Sequence, residues 1–455
     1  MLTTQKLPRF AFALPALLLF GASACSAQTT TRKFAYVGAA ISVVPRLEAM
    51  PGRIYEDFSG RPTDVLTFMW NNHFNAWRIN AQYSDSPPWT GKLSDDNVAL
   101  DGHELDDREK NFLLRFDTPA SRLDLARRVK TTGGKIVLTL QFGQDGPVDN
   151  WHEYIPKSWM NLTYAQTLAK IDSETRNMLR PYLQAHVQPD VIVVENEADS
   201  GMLFQYVGSD GKMKIRDTQT NSNDATAGGH YQNFPKLAGY FKREILSAKD
   251  EIKRQGFDPA RTRFALHTTT NPFHARSTFD RVFRNKPDAD RMNFDKNGKA
   301  IGLNTAVPAA LRDVRLSSLV DIMGFSVYPP EITDTSEASL NQSMSQLKDD
   351  LEYFDPFIKT FGRYTGGPFK GQWKKQALAV EFGHNNGAIV PKFFDTMAPY
   401  EWMMGGLWWE PTYGNNNWSG SQGSLYRRGT WNTQTNTWQR LTPVPWLKTW
   451  GSYAQ

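Results

Sequence analysis

The sequence predicts an α/β chain closed into a (β/α)8 barrel of the TIM type, with enlarged loops at the C-terminal face of its strands. Three observations carry that expectation. Eight short apolar segments recur along the 455 residues with helical stretches between them, the pattern of repeated βα units. The length fits one large α/β domain with decorated loops better than several small ones, and no composition break or low-complexity linker divides it. Polar residues gather at the C-terminal ends of the apolar segments, the rim on which a parallel barrel carries its site.

The strand candidates are Phe34–Ser42, Ala76–Gln82, Ile136–Phe142, Val191–Glu197, Arg263–Thr269, Ile322–Tyr328, Gln376–Phe382 and Gly405–Glu410. Between the second and third, "SRLDLARRVKTTGGK" sets Leu123, Leu125 and Val129 on roughly one face and stops at Gly133-Gly134. Between the third and fourth, a helix capped by Asn161 is expected, with Leu168, Ile171, Met178 and Leu179 at near-helical spacing. "FPKLAGYFKREILSAKDEIKRQG" and "SLNQSMSQLKDDLEYFDPFIKTFG" repeat the pattern before the fifth and seventh strands. These stripes are core packing. Three polar segments, Tyr83–Ala120, Asp199–Asn233 and Arg284–Ala310, exceed what a simple barrel needs. At the active rim they would shape a substrate groove; elsewhere they are surface insertions.

Residues 1–27 read as an export signal, with Lys6 and Arg9 ahead of the apolar run Phe10 to Phe20 and then "GASACSAQ". The run is too short to span a bilayer. Two outcomes stand: ordinary cleavage after Ala22-Ser23-Ala24, or a lipid anchor on Cys25, the only cysteine. Residues 28–455 are then a single catalytic domain, exported to the periplasm or the medium or anchored at a bacterial cell surface. With no second cysteine, internal disulfides and Cys-based metal or nucleophile sites are excluded. Of the net charge of +5, Lys6 and Arg9 contribute two, and no basic block remains to suit nucleic acid. Many of the fourteen tryptophans neighbour Gly, Asn or Pro, where they would stack on sugar faces or serve as packing.

The polar groups at the strand ends are Arg78, Gln141, Asn196 with Glu197, His267, Tyr328, Glu381, and Trp409 with Glu410. Two carboxylates facing each other across one rim are what glycoside hydrolysis requires: one protonated to give a proton to the leaving oxygen, one ionised to attack or to activate water. Glu381 follows the apolar "QALAV" and Glu197 follows "VIVVEN". Arg78 beside Glu381 would keep it charged or merely close the barrel, and the anion would raise the affinity of Glu197 for its proton. Competing chemistries are poorly represented. There is no H-E-x-x-H pair and no phosphate-binding glycine loop. Ser326 in "GFSVYP" lacks the second glycine of a nucleophile elbow, so no metal ligand and no serine nucleophile is assigned.

At this point the chain resembles glycoside hydrolase family 53, the arabinogalactan endo-β-1,4-galactanases of clan A. The resemblance rests on the joint order of "YVGAAISVVPRLE", "NAWRIN", "PKSWMNLT", "VQPDVIVVENEADSGMLF", "FALHTTTN", "DIMGFSVYP", "LAVEFG" and "GGLWWEP". It implies Glu197 as general acid/base, Glu381 as nucleophile and Asn196 as hydrogen-bond donor to the sugar 2-hydroxyl. It further implies that Arg78 and Tyr328 hold Glu381, that His267 and Trp409 line the innermost sugar site, and that configuration is retained through a galactosyl-enzyme. The partner is then a polysaccharide or oligosaccharide, in the first place galactan, and no cofactor is needed. Calcium, bound by some bacterial members near the seventh and eighth strands, finds no convincing acidic loop in "GHNNGAIVPKFF" or "TYGNNNWSGS".

Departures from the family bear on substrate more than on catalysis. Ala40 replaces an aspartate, Gln141 and Phe142 replace a His-Tyr pair, and Glu195 replaces a glycine. A rebuilt groove would allow an exo-acting β-galactosidase or another clan A activity, and a silent surface glycan-binding protein is the alternative of another class. Glu195 is the anomaly. Strand alternation places it on the face of Glu197, one layer deeper, bonded within the barrel or to Arg78; a local twist or bulge would send it out toward the helices.

Overall fold

In the computed structural model all eight expected strands form and close in chain order. They are β1 (Tyr36–Ala40), β2 (Ala76–Gln82), β3 (Lys135–Gln141), β4 (Val191–Val194), β5 (Arg263–Thr268), β6 (Ile322–Val327), β7 (Gln376–Phe382) and β8 (Met403–Trp408). Each is parallel to both neighbours, and β8 returns to β1. The structure describes residues 32–83, 116, 118–142, 153–216, 228–269, 272–284, 288–295, 297, 299–328, 336–383, 387, 389–409, 426–428, 431–434 and 437–455. The export signal of residues 1–27 lies outside them, as does Glu410. Among the described residues no helix is long and apolar enough to cross a membrane.

Strands covered on both faces can be apolar throughout, which is why "VIVV" of β4 and "IVL" of β3 show no alternation of polarity. Their residues divide between two cores. Tyr36, Ala76, Val137, Val191, Val193, Ala265, Ile322, Leu378, Val380, Met404 and Leu407 fill the barrel interior. Alternate residues such as Trp77, Ile192, Phe264 and Phe325 face the surrounding helices. Closure brings β1 very near its partners. A Cβ on Gly38 would lie 1.6 Å from the carbonyl oxygen of Ala76, and one on Gly405, at φ +131, 1.8 Å from that of Tyr36.

A helix follows every strand: α1 (Val65–Asn71), α2 (Pro119–Thr131), α3 (Tyr164–Gln184), α4 (Phe234–Arg254), α5 (Pro272–Val282), α6 (Glu337–Thr360), α7 (Ile389–Met397) and α8 (Trp446–Gly451). The cap of α3 is Thr163, not the expected Asn161. Its hydroxyl accepts from the Gln166 backbone while the Gln166 side chain reaches back to the Thr163 N–H, a closed capping box that Asn161, two residues earlier, cannot form. α3 and α4 lie side by side, joined by Arg176 with Asp250 and Arg180 with Glu251.

Two strand ends depart from regularity, and both carry candidate carboxylates. β4 stops at Val194, short of the expected Glu197, because Glu195 and Glu197 adopt left-handed backbone at φ 58 and 47. In β7 the pairing with β6 runs Phe325 to Ala379 and then Ser326 to Glu381, skipping Val380. This bulge puts Val380 and Glu381 on the inner side in succession, where strict alternation would have turned the carboxylate outward. Of the long segments, the one after β4 is held at its start by Asp199, whose carboxylate accepts from the Thr269 N–H at 3.1 Å and hydroxyl at 2.8 Å. Most of Tyr83–Ala120 lies outside the described residues, whereas Arg284–Ala310 is largely described and holds a two-stranded antiparallel ribbon, Met292–Phe294 with Ala300–Leu303.

Candidate active site

The strand ends bring Arg78, Asn196, Glu197, His267, Tyr328 and Glu381 into one hydrogen-bonded cluster. Arg78, on β2 and wholly buried, is its hub. Its Nε donates to Thr139 on β3 at 2.8 Å, one terminal nitrogen is ion-paired with Glu381 Oε1, and the other donates to Asn196 Oδ1. The planar fork addresses three strands at once, a geometry a lysine cannot reproduce. The second oxygen of Glu381 accepts from the Tyr328 hydroxyl at 2.8 Å. Burial, reinforced by the charges of Glu381 and Glu197, pushes the Tyr328 hydroxyl well above its ordinary value, so it remains a donor.

Glu197 faces this ion pair from the end of β4. A carboxylate oxygen of Glu197, one of Glu381 and a ring nitrogen of His267 all lie within 4.8 Å of one another. Burial first, then the charge of Glu381, pushes the Glu197 carboxyl up to about 8, against the downward pull of the Ser326 hydrogen bond and of Arg78. The site therefore holds one carboxyl that keeps its proton at neutral pH beside one that is ion-paired, the division of labour that separates an acid from a nucleophile. The three ligand-type atoms do not make a ready metal centre. Both ring nitrogens of His267 face hydrogen-bond partners and Arg78 already supplies the cation.

Trp409 lies half-buried over the hub, with the Arg78 guanidinium 5.3 Å from its ring centre. Trp77, Trp159, Trp402, Trp408 and Trp450 are fully buried and act as packing, not sugar platforms. The loop "TYGNNNWSGS" considered for calcium lies outside the described residues, and "GHNNGAIVPKFF" lies partly outside.

Glu195 does not join the cluster. Its left-handed backbone turns the carboxylate away from Glu197, and Oε1 accepts from the Phe142 N–H at 2.8 Å. The expectation from alternation fails because the strand has already ended; the outward alternative describes what is seen. The residue facing it is Glu244 of α4. Both are wholly buried, and three of their four carboxylate oxygens have no hydrogen-bond partner. Burial pushes Glu195 up to about 8, and burial together with the charge of Glu195 raises Glu244 well above its ordinary value. Two such groups cannot both be charged in so dry a place, so the pair holds at least one proton.

Sequence reading missed Thr139 and Asp199 and weighed Ser326 only as a nucleophile. The hydroxyl of Ser326 touches Glu197 Oε1, His267 Nε2 at 2.9 Å and Glu381 Oε2 at 3.3 Å. Alternation gives its face, since Ser326 near the end of β6 and Tyr328 just past it are two residues apart.

A closed (β/α)8 barrel that presents an ion-paired carboxylate from the end of β7 and, just beyond β4, a carboxyl with raised proton affinity defines a glycoside hydrolase. The chain belongs to glycosyl hydrolase family 53, whose family model matches residues 36–355. Among solved structures, a fungal β-1,4-galactanase superposes with a TM-score of 0.55 at 16% identity, covering 92% of this chain and 99% of that one. The family 53 catalytic domain of Ignisphaera aggregans gives 0.55 at 15% identity, covering 93% and 97%. At these identities the likeness is one of fold. An uncharacterised protein from the bgaB 5′ region of Niallia circulans is 23% identical over 217 residues, 48% of each chain, so this chain spans about half the length of that relative.

Proposed function

We propose that the protein is an exported, retaining, endo-acting hydrolase of β-1,4-galactosidic linkages in galactan or arabinogalactan. The observation that carries the mechanism is the approach of Glu197 and Glu381 to within 4.8 Å. That separation suits the roughly 5–5.5 Å spacing of retaining enzymes and leaves no room for the water of an inverting one. Glu381, oriented by Arg78 and Tyr328, attacks the anomeric carbon while Glu197 protonates the departing oxygen. The galactosyl ester formed on Glu381 removes its negative charge, and with it part of the push that keeps Glu197 protonated. Glu197 then serves as base for the incoming water.

Asn196 fits the donor role toward the sugar 2-hydroxyl. Its oxygen is turned inward to Arg78 and His267, which leaves the amide N–H group as the end available to substrate. The galactan preference is supported by family membership and by the name of the fungal structural relative. Export rests on residues 1–27, with cleavage or acylation at Cys25 as the two routes.

The test is incubation with galactan, arabinogalactan, mannan, xylan and aryl galactosides, with product sizes measured. Oligomeric products from galactan are expected. Galactose alone would reassign the enzyme as exo-acting, and tight binding without new reducing ends would overturn hydrolysis in favour of a glycan-binding role.

A further inference from the structure

Ser326 has one proton and three acceptors around it, and the direction of its hydrogen bonds can be deduced. A guanidinium only donates, so the Asn196 atom against Arg78 is oxygen. That oxygen lies 3.1 Å from His267 Nδ1, which must therefore carry a hydrogen. In a neutral imidazole the other nitrogen is then an acceptor, and the group 2.9 Å from Nε2 is the Ser326 hydroxyl. With its proton given to His267, Ser326 can only accept from Glu197, which suits a protonated acid. Once Glu197 is ionised the balance reverses, because a carboxylate is a stronger acceptor than a neutral ring nitrogen. Glu381 Oε2 competes weakly, being 3.3 Å away and already bonded to Tyr328.

We propose that Ser326 is a positioning residue for the acid/base: its hydroxyl proton points to His267 while Glu197 is protonated and turns to the Glu197 carboxylate when that proton is given up. The turn is a rotation about one bond and moves no proton to solvent. It offers Glu197 a partner both as acid and as base without moving the carboxyl. This inference rests on the glycosidase reading and adds a residue to it. Among the described residues, the charged and titratable groups around Glu197 are Glu381 on β7 and Asp199 beyond β4, which disfavour its ionisation, Arg78 on β2, which favours it, His267 on β5, and Tyr328 just past β6. They set the pH of the turn, while Ser326 reports it.

The experiment is nitrogen-15 NMR of the histidine-labelled full-length protein across pH, with the His267 signals assigned by their loss in His267→Gln. The expected result is the Nδ1–H tautomer at neutral pH, with Nε2 moving downfield as it loses its hydrogen bond, at the same midpoint as the alkaline fall in activity. In Glu197→Gln and in Ser326→Ala the Nε2 signal no longer follows that midpoint. Ser326→Ala also lowers kcat about tenfold to a hundredfold with KM nearly unchanged, the size expected for one lost polar contact to a buried group. An Nε2–H tautomer, or an Nε2 signal indifferent to the midpoint in the unsubstituted protein, overturns the proposal. Absence of hydrolysis on every glycan would overturn the glycosidase reading instead; the Nδ1–H tautomer, and a pH-dependent Nε2 shift that is lost in Glu197→Gln, are read without any activity.

Discussion

At the scale of single residues, the proposed chemistry is divided between two glutamates by their neighbours. Glu197 owes its raised affinity for the proton first to burial and then to Glu381, so the acid form persists through neutrality and disappears as pH climbs through about 8. Activity on galactan is accordingly expected to fall above that pH, and Glu197→Gln should lower kcat on galactan about 10²–10⁴-fold. The same variant should lose far less on an aryl galactoside whose leaving group needs no proton. Equal loss on both substrates would contradict the acid role. Arg78→Lys keeps a charge but cannot reach Thr139, Glu381 and Asn196 together. A fall in kcat/KM of about 10²-fold is expected, the loss of two charge-assisted contacts.

At the scale of elements, the informative features are where strands stop being regular. The left-handed turn after Val194 sends Glu195 outward to Glu244, and the bulge at Val380 brings Glu381 inward. Apolar runs, helix stripes and polar strand ends are written in sequence, which is why the eight strands, their order and the cluster of Arg78, Asn196, Glu197, His267, Tyr328 and Glu381 were legible. A bulge or a left-handed residue depends on partner strands and leaves no local mark. Ser326 was legible only in part: its place two residues before Tyr328 gives the face it occupies, but its partners Glu197, His267 and Glu381 come from three other strand ends.

The buried Glu195–Glu244 pair has a measurable consequence for stability. A carboxyl whose folded value is raised from 4.5 to about 8 stabilises the fold fully below the unfolded value, and that contribution is lost as pH rises toward 8. Glu195→Gln keeps an acceptor for the Phe142 N–H and removes the titration. Its stability relative to the parent protein should rise between pH 5 and 8, by up to about 1.4 kcal/mol per pH unit, in denaturant titrations. A constant difference across that range would show that Glu195 is not held protonated. Thr163→Ala, which opens the capping box of α3, should cost about 1 kcal/mol at every pH.

At the scale of the whole molecule, barrel closure makes a site from residues 303 positions apart in sequence, such as Arg78 and Glu381. The helices add the outer core, and the interior apolar plug of Val191, Val193, Ile322, Leu378 and Val380 shields the floor beneath the ion pair from water. In that setting the approach of Glu197 to Glu381 fixes the stereochemistry of the proposed reaction, and the measurement that bears on it most directly is proton NMR of the first product released from a galacto-oligosaccharide. The β-anomer, appearing before mutarotation, is the expected result; initial release of the α-anomer would contradict the assignment of Glu381 as nucleophile.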